Sequence, residues 1–369
     1  MTTDNPEDAG RPPADDVEGL DNEEAGGVGG YPIDSLMIRT DRRTVFEVCR
    51  RIEKNVYVLD PEFQREFIWD EVKQSRLIES AMMRIPLPVF YLAETPDGKI
   101  VVVDGLQRLS TFKRFLSDDL RLKGLEYAAD LNGKRFKDLP MSVKNRVEDT
   151  NLTLYLIDSK VPDQAKLDIF ERVNSGEPLT KQQMRNCLYL GEATRWLARM
   201  AKQEEFLSAT AHGLNHKTMR DRECINRFLA FTEPGDSPYT GNMDNFLRDV
   251  LRRLRNADQK YWEGITERFV GSMRLNAAIF GQNAFRKVKT GEKPRRSVIN
   301  VAMFDVFSVL LARPQAARLT KRPHGVREGL NALLEDPEFV DAITLSTNSV
   351  RKVSLRFKRV EKMLAEVAT

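Results

Sequence analysis

The chain has 369 residues, 41% apolar and 31% charged, with a formal net charge of +3. That length holds two domains, or one large one, with a sizeable core; no apolar run approaches the roughly 20 residues of a membrane span, and the acidic, proline-containing start is no secretory signal. The cytoplasm is the expected location, and three widely separated cysteines in apolar contexts, Cys49, Cys187 and Cys224, indicate neither a disulfide framework nor a zinc knuckle.

Charge is unevenly distributed. Residues 1–30 hold nine acids and one base, a net of −8 that leaves +11 on the remainder. This acidic, glycine-rich segment is expected to be a disordered tail, either simply solubilising or screening a basic surface from nucleic acid.

Order is expected from Tyr31. TDRRTVFEVCRRIEKN places Val45, Val48, Cys49 and Ile52 on one helical face, with Arg42, Arg43, Arg50 and Arg51 elsewhere. A short strand from Val56 to Leu59 runs into the proline-containing stretch PEFQREFIW, and Asp70 caps a helix whose stripe is Val72, Leu77, Ile78, Ala81 and Met82. IPLPVFYLAE and KIVVVDG form a hairpin about Asp97-Gly98. Ile100, Val101, Val102 and Val103 lack polar alternation, which suits a strand covered on both faces. After Gly105, the residues Leu106, Leu109, Phe112 and Leu116 keep helical spacing. LNGKRFKDLP and NLTLYLID read as strands around a helix at MSVKNRVED. From Pro162 amphipathic helices alternate with short loops: DQAKLDIFERV, TKQQMRNCLYL, ATRWLARMAKQEEFL, RDRECINRFLAF, MDNFLRDVLRRLRN, YWEGITERFVGSMRLNAAIF, VINVAMFDVFSVLLA and a last helix near Ser354 to Val367.

Two stretches carry chemistry. Asp104-Gly105 is a strand-to-helix turn, which presents backbone N–H groups at the positive end of a helix, a ready anion site. Arg108 adds a planar charged fork and Gln107 a donor and an acceptor. The plainer reading has Asp104 capping the helix and Arg108 solvated. In PEFQREFIW, Gln64 and Arg65 sit among Phe63, Phe67, Ile68 and Trp69, a setting that fixes an arginine for phosphate recognition; the alternative pairs Arg65 with Asp60 or Glu62.

Taken together, PEFQREFIWDEVKQSRLIESAMMRIPLPVFYLAE and KIVVVDGLQRLSTFKRFL closely resemble the N-terminal domain family of the GmrSD type IV restriction enzymes. Its hallmark is an Asp-Gly-Gln-Gln-Arg motif at the end of a strand. The resemblance continues in IFERVNSGEPLTKQQMRNCLYLG and MRDRECINRFLAF, spanning most of Tyr31 to about Phe307. It implies an α+β chain: the tail over 1–30, a ParB/sulfiredoxin-like nucleotide-binding α/β domain over 31–160 and an all-helical domain over 161–369. It also implies handling of a nucleoside triphosphate, with magnesium, in defence against foreign DNA. The motif carries over onto Asp104, Gly105, Gln107 and Arg108, with Leu106 where the family has its first Gln. Asp104, Gln107 and Arg108 are then the catalytic candidates, and Gln64, Arg65, Gly105 and Asn174 the nucleotide-binding ones, Asn174 being equally suited to capping a helix. If the first Gln positions a water, Leu106 weakens hydrolysis; if it packs inward, Leu106 is harmless, and the helical spacing favours packing.

No C-terminal His-Asn-His nuclease of the kind found in the family is expected, because the chain holds only His212, His216 and His324. His212 and His216 stand four apart, but Gly213 and Asn215 between them argue for a loop, and no metal site is expected there. For DNA, AFRKVKTGEKPRRS carries Arg286, Lys287, Lys289, Lys293, Arg295 and Arg296, which either track a phosphate backbone or form a solvated loop. Arg248, Arg252, Arg253 and Arg255 add a second basic stretch. Two readings stay open: a nucleotide-hydrolysing defence enzyme that nicks or cuts DNA, or a nucleotide-gated DNA-binding scaffold whose nuclease is a separate partner. The expected partners are DNA, a separate nuclease or modification-system protein and further copies of the chain, with no membrane.

Overall fold

The structure is a computed structural model that describes residues 17–19, 37–59, 69–95, 98–173, 180–233, 238–289 and 298–368. The chain divides into two compact units, residues 27–188 and residues 189–369 together with 1–26. The first described element, β1 (Val17–Glu18), belongs to the second of these units.

The unit over 27–188 opens with β2 (Ile38–Thr44), α1 (Val45–Glu53), β3 (Tyr57–Val58) and α2 (Glu71–Met82), followed by β4 (Phe90–Glu94), β5 (Ile100–Asp104), α3 (Leu106–Leu116), α4 (Met141–Glu148), β6 (Asn151–Ile157), α5 (Asp163–Val173) and α6 (Lys181–Leu188). Its five strands lie in the order β2-β6-β4-β5-β3. The sheet is mixed: β4 is antiparallel to β5 and parallel to β6, β3 is parallel to β5, and β2 is antiparallel to β6. Phe90, Leu92, Ile100, Val102, Leu152, Leu154 and Leu156 form one buried face under α1 to α4. Ala93, Val103 and Ile157 form the other, covered by Phe170 and Met184 of α5 and α6. Burial on both faces is what the unbroken β-branched run of β5 implied. It also explains why the unit extends to Leu188, past the change in sequence character near residue 160.

Side-chain caps set the helix starts. Thr44 and Glu47 form a reciprocal capping box on α1, and Asp70 Oδ1 accepts the Lys73 N–H at 2.7 Å on α2. Three expectations are corrected. Arg42 and Arg43 lie not in a helix but in β2, an edge strand whose polar, half-exposed pattern carries no periodic signal. Val72 is off the core stripe of α2, 40% exposed. LNGKRFKDLP forms two 3-10 turns, Ala129–Leu131 and Phe136–Asp138, rather than a strand, because Gly133 takes φ +83° and its N–H bonds back to Leu122 O at 2.8 Å.

The second unit contains α7 (Glu192–Ala201), α8 (Glu204–Thr210), α9 (Arg220–Thr232), α10 (Met243–Arg253), α11 (Gln259–Phe280), β7 (Ile299–Asn300), α12 (Val301–Leu310), α13 (Pro323–Leu333), α14 (Pro337–Thr344) and α15 (Val350–Ala368). Trp196, Phe206, Phe228, Phe269 and Phe304 interlock in its core, with the Phe228 and Phe269 rings 5.0 Å apart. ATRWLARMAKQEEFL breaks into α7 and α8 at an extended Gln203, and Glu204 and Glu205 open the new helix. Within the segment expected to be a disordered tail, β1 pairs in parallel with β7, Val17 is buried, and the Glu18 carboxylate meets Lys287 Nζ at 2.5 Å.

Cys49, Cys187 and Cys224 are free and buried, and burial pushes the Cys49 thiol up to about 12. Among the described residues, no helix is long and apolar enough to cross a membrane.

Candidate functional site

The chain leaves the carboxyl end of β5 through Asp104, turns at Gly105 and enters α3 at Leu106. Gly105 has φ +95°, a left-handed conformation that favours glycine. Space imposes the same choice: a Cβ there would stand 2.3 Å from Phe90 Cδ1 and 2.8 Å from Cε1. With glycine as the N-cap there is no side-chain cap, and the first turn of α3 contains no acid. Asp104 is therefore not the cap of α3, correcting the plainer reading of this turn. The first intrahelical bond runs from Leu109 N–H to Gly105 O at 2.9 Å, so helix geometry provides no intrahelical acceptor for the N–H groups of residues 106–108. The turn thus places the positive end of α3 at the carboxyl end of an inner strand of the sheet.

Asp104 turns instead to Arg108, whose Nη2 lies 2.7 Å from Asp104 Oδ2. Arg108 also donates to Pro88 O at 2.5 Å and Val89 O at 3.1 Å, and its guanidinium carbon lies 4.3 Å from the centroid of the Phe90 ring. Burial lowers the Arg108 pKa and the Asp104 charge opposes that shift. The arginine is not the solvated side chain of the plainer reading, nor a fork open to a ligand; it braces the 88–90 segment against the start of α3. Replacing Arg108 with Lys is expected to lower stability by about 1–3 kcal/mol, since an ammonium cannot hold two carbonyls and a carboxylate in one plane. Urea unfolding reads this directly, and an unchanged midpoint would contradict the bracing role.

Gln107 joins the turn to the start of α2. Its Oε1 accepts the Trp69 N–H at 3.4 Å, Trp69 O accepts from the buried Gln74 at 2.7 Å, and Gln74 Oε1 accepts from Arg114 at 2.7 Å. Leu106 packs into the core beneath α3, 9% exposed. Gln64, Arg65 and Asn174 lie outside the described residues.

The neighbouring helix α6 falls within the expected helical stretch TKQQMRNCLYL, but its buried polar residues carried no signal in the sequence. Gln182, Gln183, Arg185 and Asn186 are all at most 1% exposed, and Met184 between them packs with Val103 of β5. Gln183 and Thr180 cap each other, Gln182 donates to Asn186 at 2.8 Å, and Arg185 Nε donates to Gln182 Oε1 at 3.0 Å. The Thr-x-x-Gln box was readable as a helix start. Burial of four polar residues around a single methionine, however, runs against the ordinary exposure of such residues.

The basic stretch of the second unit is only partly described. Arg286 is 8% exposed and donates to Gln282 O, Ala284 O and Thr210 O, so it serves the local fold rather than an open DNA-facing surface. Lys287 pairs with Glu18 and Lys289 with Glu335. Lys293, Arg295 and Arg296 lie outside the described residues, while Arg252 and Arg253 are exposed on α10. His212 and His216 lie in a loop, His212 with φ +55°, and no group of three or more His, Cys, Asp or Glu among the described residues is arranged to hold a metal.

Residues 45–190 match the family model described as the GmrSD restriction endonuclease, N-terminal domain. The match takes in the whole β5–α3 turn and α6. Neither the curated proteins nor the solved structures gave a significant match.

Proposed function

We propose that the GmrSD-type N-terminal domain of this chain binds and hydrolyses a nucleoside triphosphate at the β5–α3 turn, as part of a restriction-like defence protein that acts on foreign DNA. The observation that carries this reading is the start of α3, where a left-handed Gly105 offers no side-chain cap at the positive end of the helix, beside a partly exposed carboxylate.

In this reading the first-turn N–H groups hold phosphate oxygens, and the helix dipole favours their negative charge. Magnesium characteristically takes one or two carboxylates together with phosphate oxygens and waters. Asp104 fits that demand: its side chain is 33% exposed and Oδ1 accepts no hydrogen bond among the described residues, while Oδ2 is held by Arg108. Bound there, the ion would neutralise charge on the bridged phosphates. Gln107, steadied through Trp69, is placed to orient the attacking water. Arg108 acts as a positioning residue that fixes Asp104 and the turn. The core packing of Leu106 supports retention of the site, because the departure from the family motif falls on an inward-facing position.

One feature favours the alternative, a nucleotide-gated DNA-binding protein with a separate nuclease. A guanidinium committed to Pro88, Val89 and Asp104 is poorly placed to follow charge developing on a transferred phosphoryl group, which suits binding with slow turnover. The deciding experiment measures phosphate release from ATP, GTP and CTP with magnesium, with and without plasmid DNA, while the same plasmid is scored for nicks. Multiple turnovers that disappear in Asp104→Ala establish the hydrolase, and parallel nicking makes it an effector in its own right. Saturable binding without turnover and without nicks establishes the switch.

A further inference from the structure

A cleft of about 330 Å³ opens in the second unit among the end of α7, α8 and the start of α9. Phe206 and Leu214 give it an apolar wall, and Lys202, His212 and His216 bring three nitrogen bases to its lining. Asp221 closes it from α9. This carboxylate is 4% exposed, its Oδ1 accepts the Arg222 N–H at 2.7 Å, and its Oδ2 lies 2.7 Å from His216 Nδ1. A buried carboxylate held in this way selects the His216 tautomer with hydrogen on Nδ1 and turns Nε2 to the opposite edge of the ring. The His216 side chain remains 41% exposed in the cleft lining. Asp221 thus fixes the orientation of the His216 ring within the cleft lining.

We propose that this cleft binds a phosphate-bearing ligand of nucleoside monophosphate size, the phosphate against Lys202, His212 and His216 and the organic part against Phe206 and Leu214. The volume of about 330 Å³ lies near the lower end of the roughly 300–1,000 Å³ of small-ligand sites, which suits a single nucleotide. The site is formed by residues of the second unit alone, so it stands independently of the β5–α3 turn.

The three histidines of the chain make the test direct. His324 lies on α13, 76% exposed and 3.2 Å from Glu328, and serves as an internal reference. With the full chain carrying carbon-labelled histidine, the imidazole resonances are followed during titration with adenosine 5′-monophosphate and, separately, with inorganic phosphate. The expected result is a saturable shift of His212 and His216 with His324 unmoved, and tighter binding of the nucleotide than of phosphate. His216→Gln, read on His212, weakens binding by about tenfold or more, the scale of one charge-assisted hydrogen bond. Leu214→Trp, which fills the cleft while leaving every charged side chain in the sequence, also removes the ligand-induced shifts. Shifts in none of the three histidines, equal shifts in all three, or unaltered affinity in both variants would overturn the proposal. Equal affinity for phosphate and nucleotide would overturn the role of the apolar wall. The same titration of Asp104→Ala reads the two sites separately, because shifts of His212 and His216 that persist in that variant belong to the cleft.

Discussion

Gly105→Ala is expected to destabilise the N-terminal unit and to abolish nucleotide binding at the β5–α3 turn. Two costs combine. A non-glycine residue at φ +95° is strained by about 1–2 kcal/mol, and the new methyl collides with the Phe90 ring, an overlap of the kind that costs about 1–3 kcal/mol in a packed core. Phe90 cannot move aside cheaply, because it is fully buried and supports the Arg108 guanidinium on its face. Any relaxation therefore displaces Arg108, then Asp104, and with them the start of α3. Urea unfolding checks the stability loss, and equilibrium binding of ATP, GTP and CTP checks the function. Wild-type values in both would show that the turn tolerates a side chain and that its geometry does not serve a ligand.

The second large effect lies in the other unit. Asp305 is fully buried on α12 and holds Arg227 of α9 through two contacts of 2.8 Å, and Arg356 of α15 through a third. Burial opposes the charge on Arg227, but the two-point contact with Asp305 more than restores it and raises its pKa. Arg356 has a single bond to the same carboxylate and feels repulsion from Arg227, so burial prevails and its pKa falls to about 10. Two arginines thus share one carboxylate out of reach of water. Asp305→Ala removes the carboxylate that forms an ion pair with both arginines, and is expected to cost about 3–5 kcal/mol or to prevent folding of this unit outright. Trp196 and Trp262 lie in the same unit, so fluorescence-detected unfolding reports on it directly. A loss below about 1 kcal/mol, the range of exposed pairs, would show that the network contributes little.

The turn itself was legible because several local rules agreed: a run of β-branched residues, Asp-Gly, then a helical period starting at Leu106. The engagement of Arg108 was not, since two of its acceptors are backbone carbonyls at Pro88 and Val89, some twenty residues upstream, and carbonyls leave no mark in side-chain chemistry. The edge strand β2 was hidden for a related reason. IRTDRRT has no apolar alternation, and its place is set by seven register pairs with β6 rather than by its own propensity. The buried polar face of α6 reversed the ordinary rule that polar residues face water. Helices α13 and α14, not named from the sequence, open on Pro323 and Pro337, where proline at the first helical position starts a helix without loss of a hydrogen bond. Local signals thus found the β5–α3 turn, while long-range contacts decided how its side chains are engaged.

If, as proposed, Asp104 and the start of α3 hold a magnesium nucleoside triphosphate, equilibrium binding of ATP, GTP and CTP, with and without magnesium, to the wild-type chain and to Asp104→Asn reads it directly. The expected result is saturable binding of at least one nucleotide that depends on magnesium and weakens by about tenfold or more in the variant, the scale of a lost charge-assisted contact. No binding to the wild type, or equal affinity in both proteins regardless of magnesium, would contradict it.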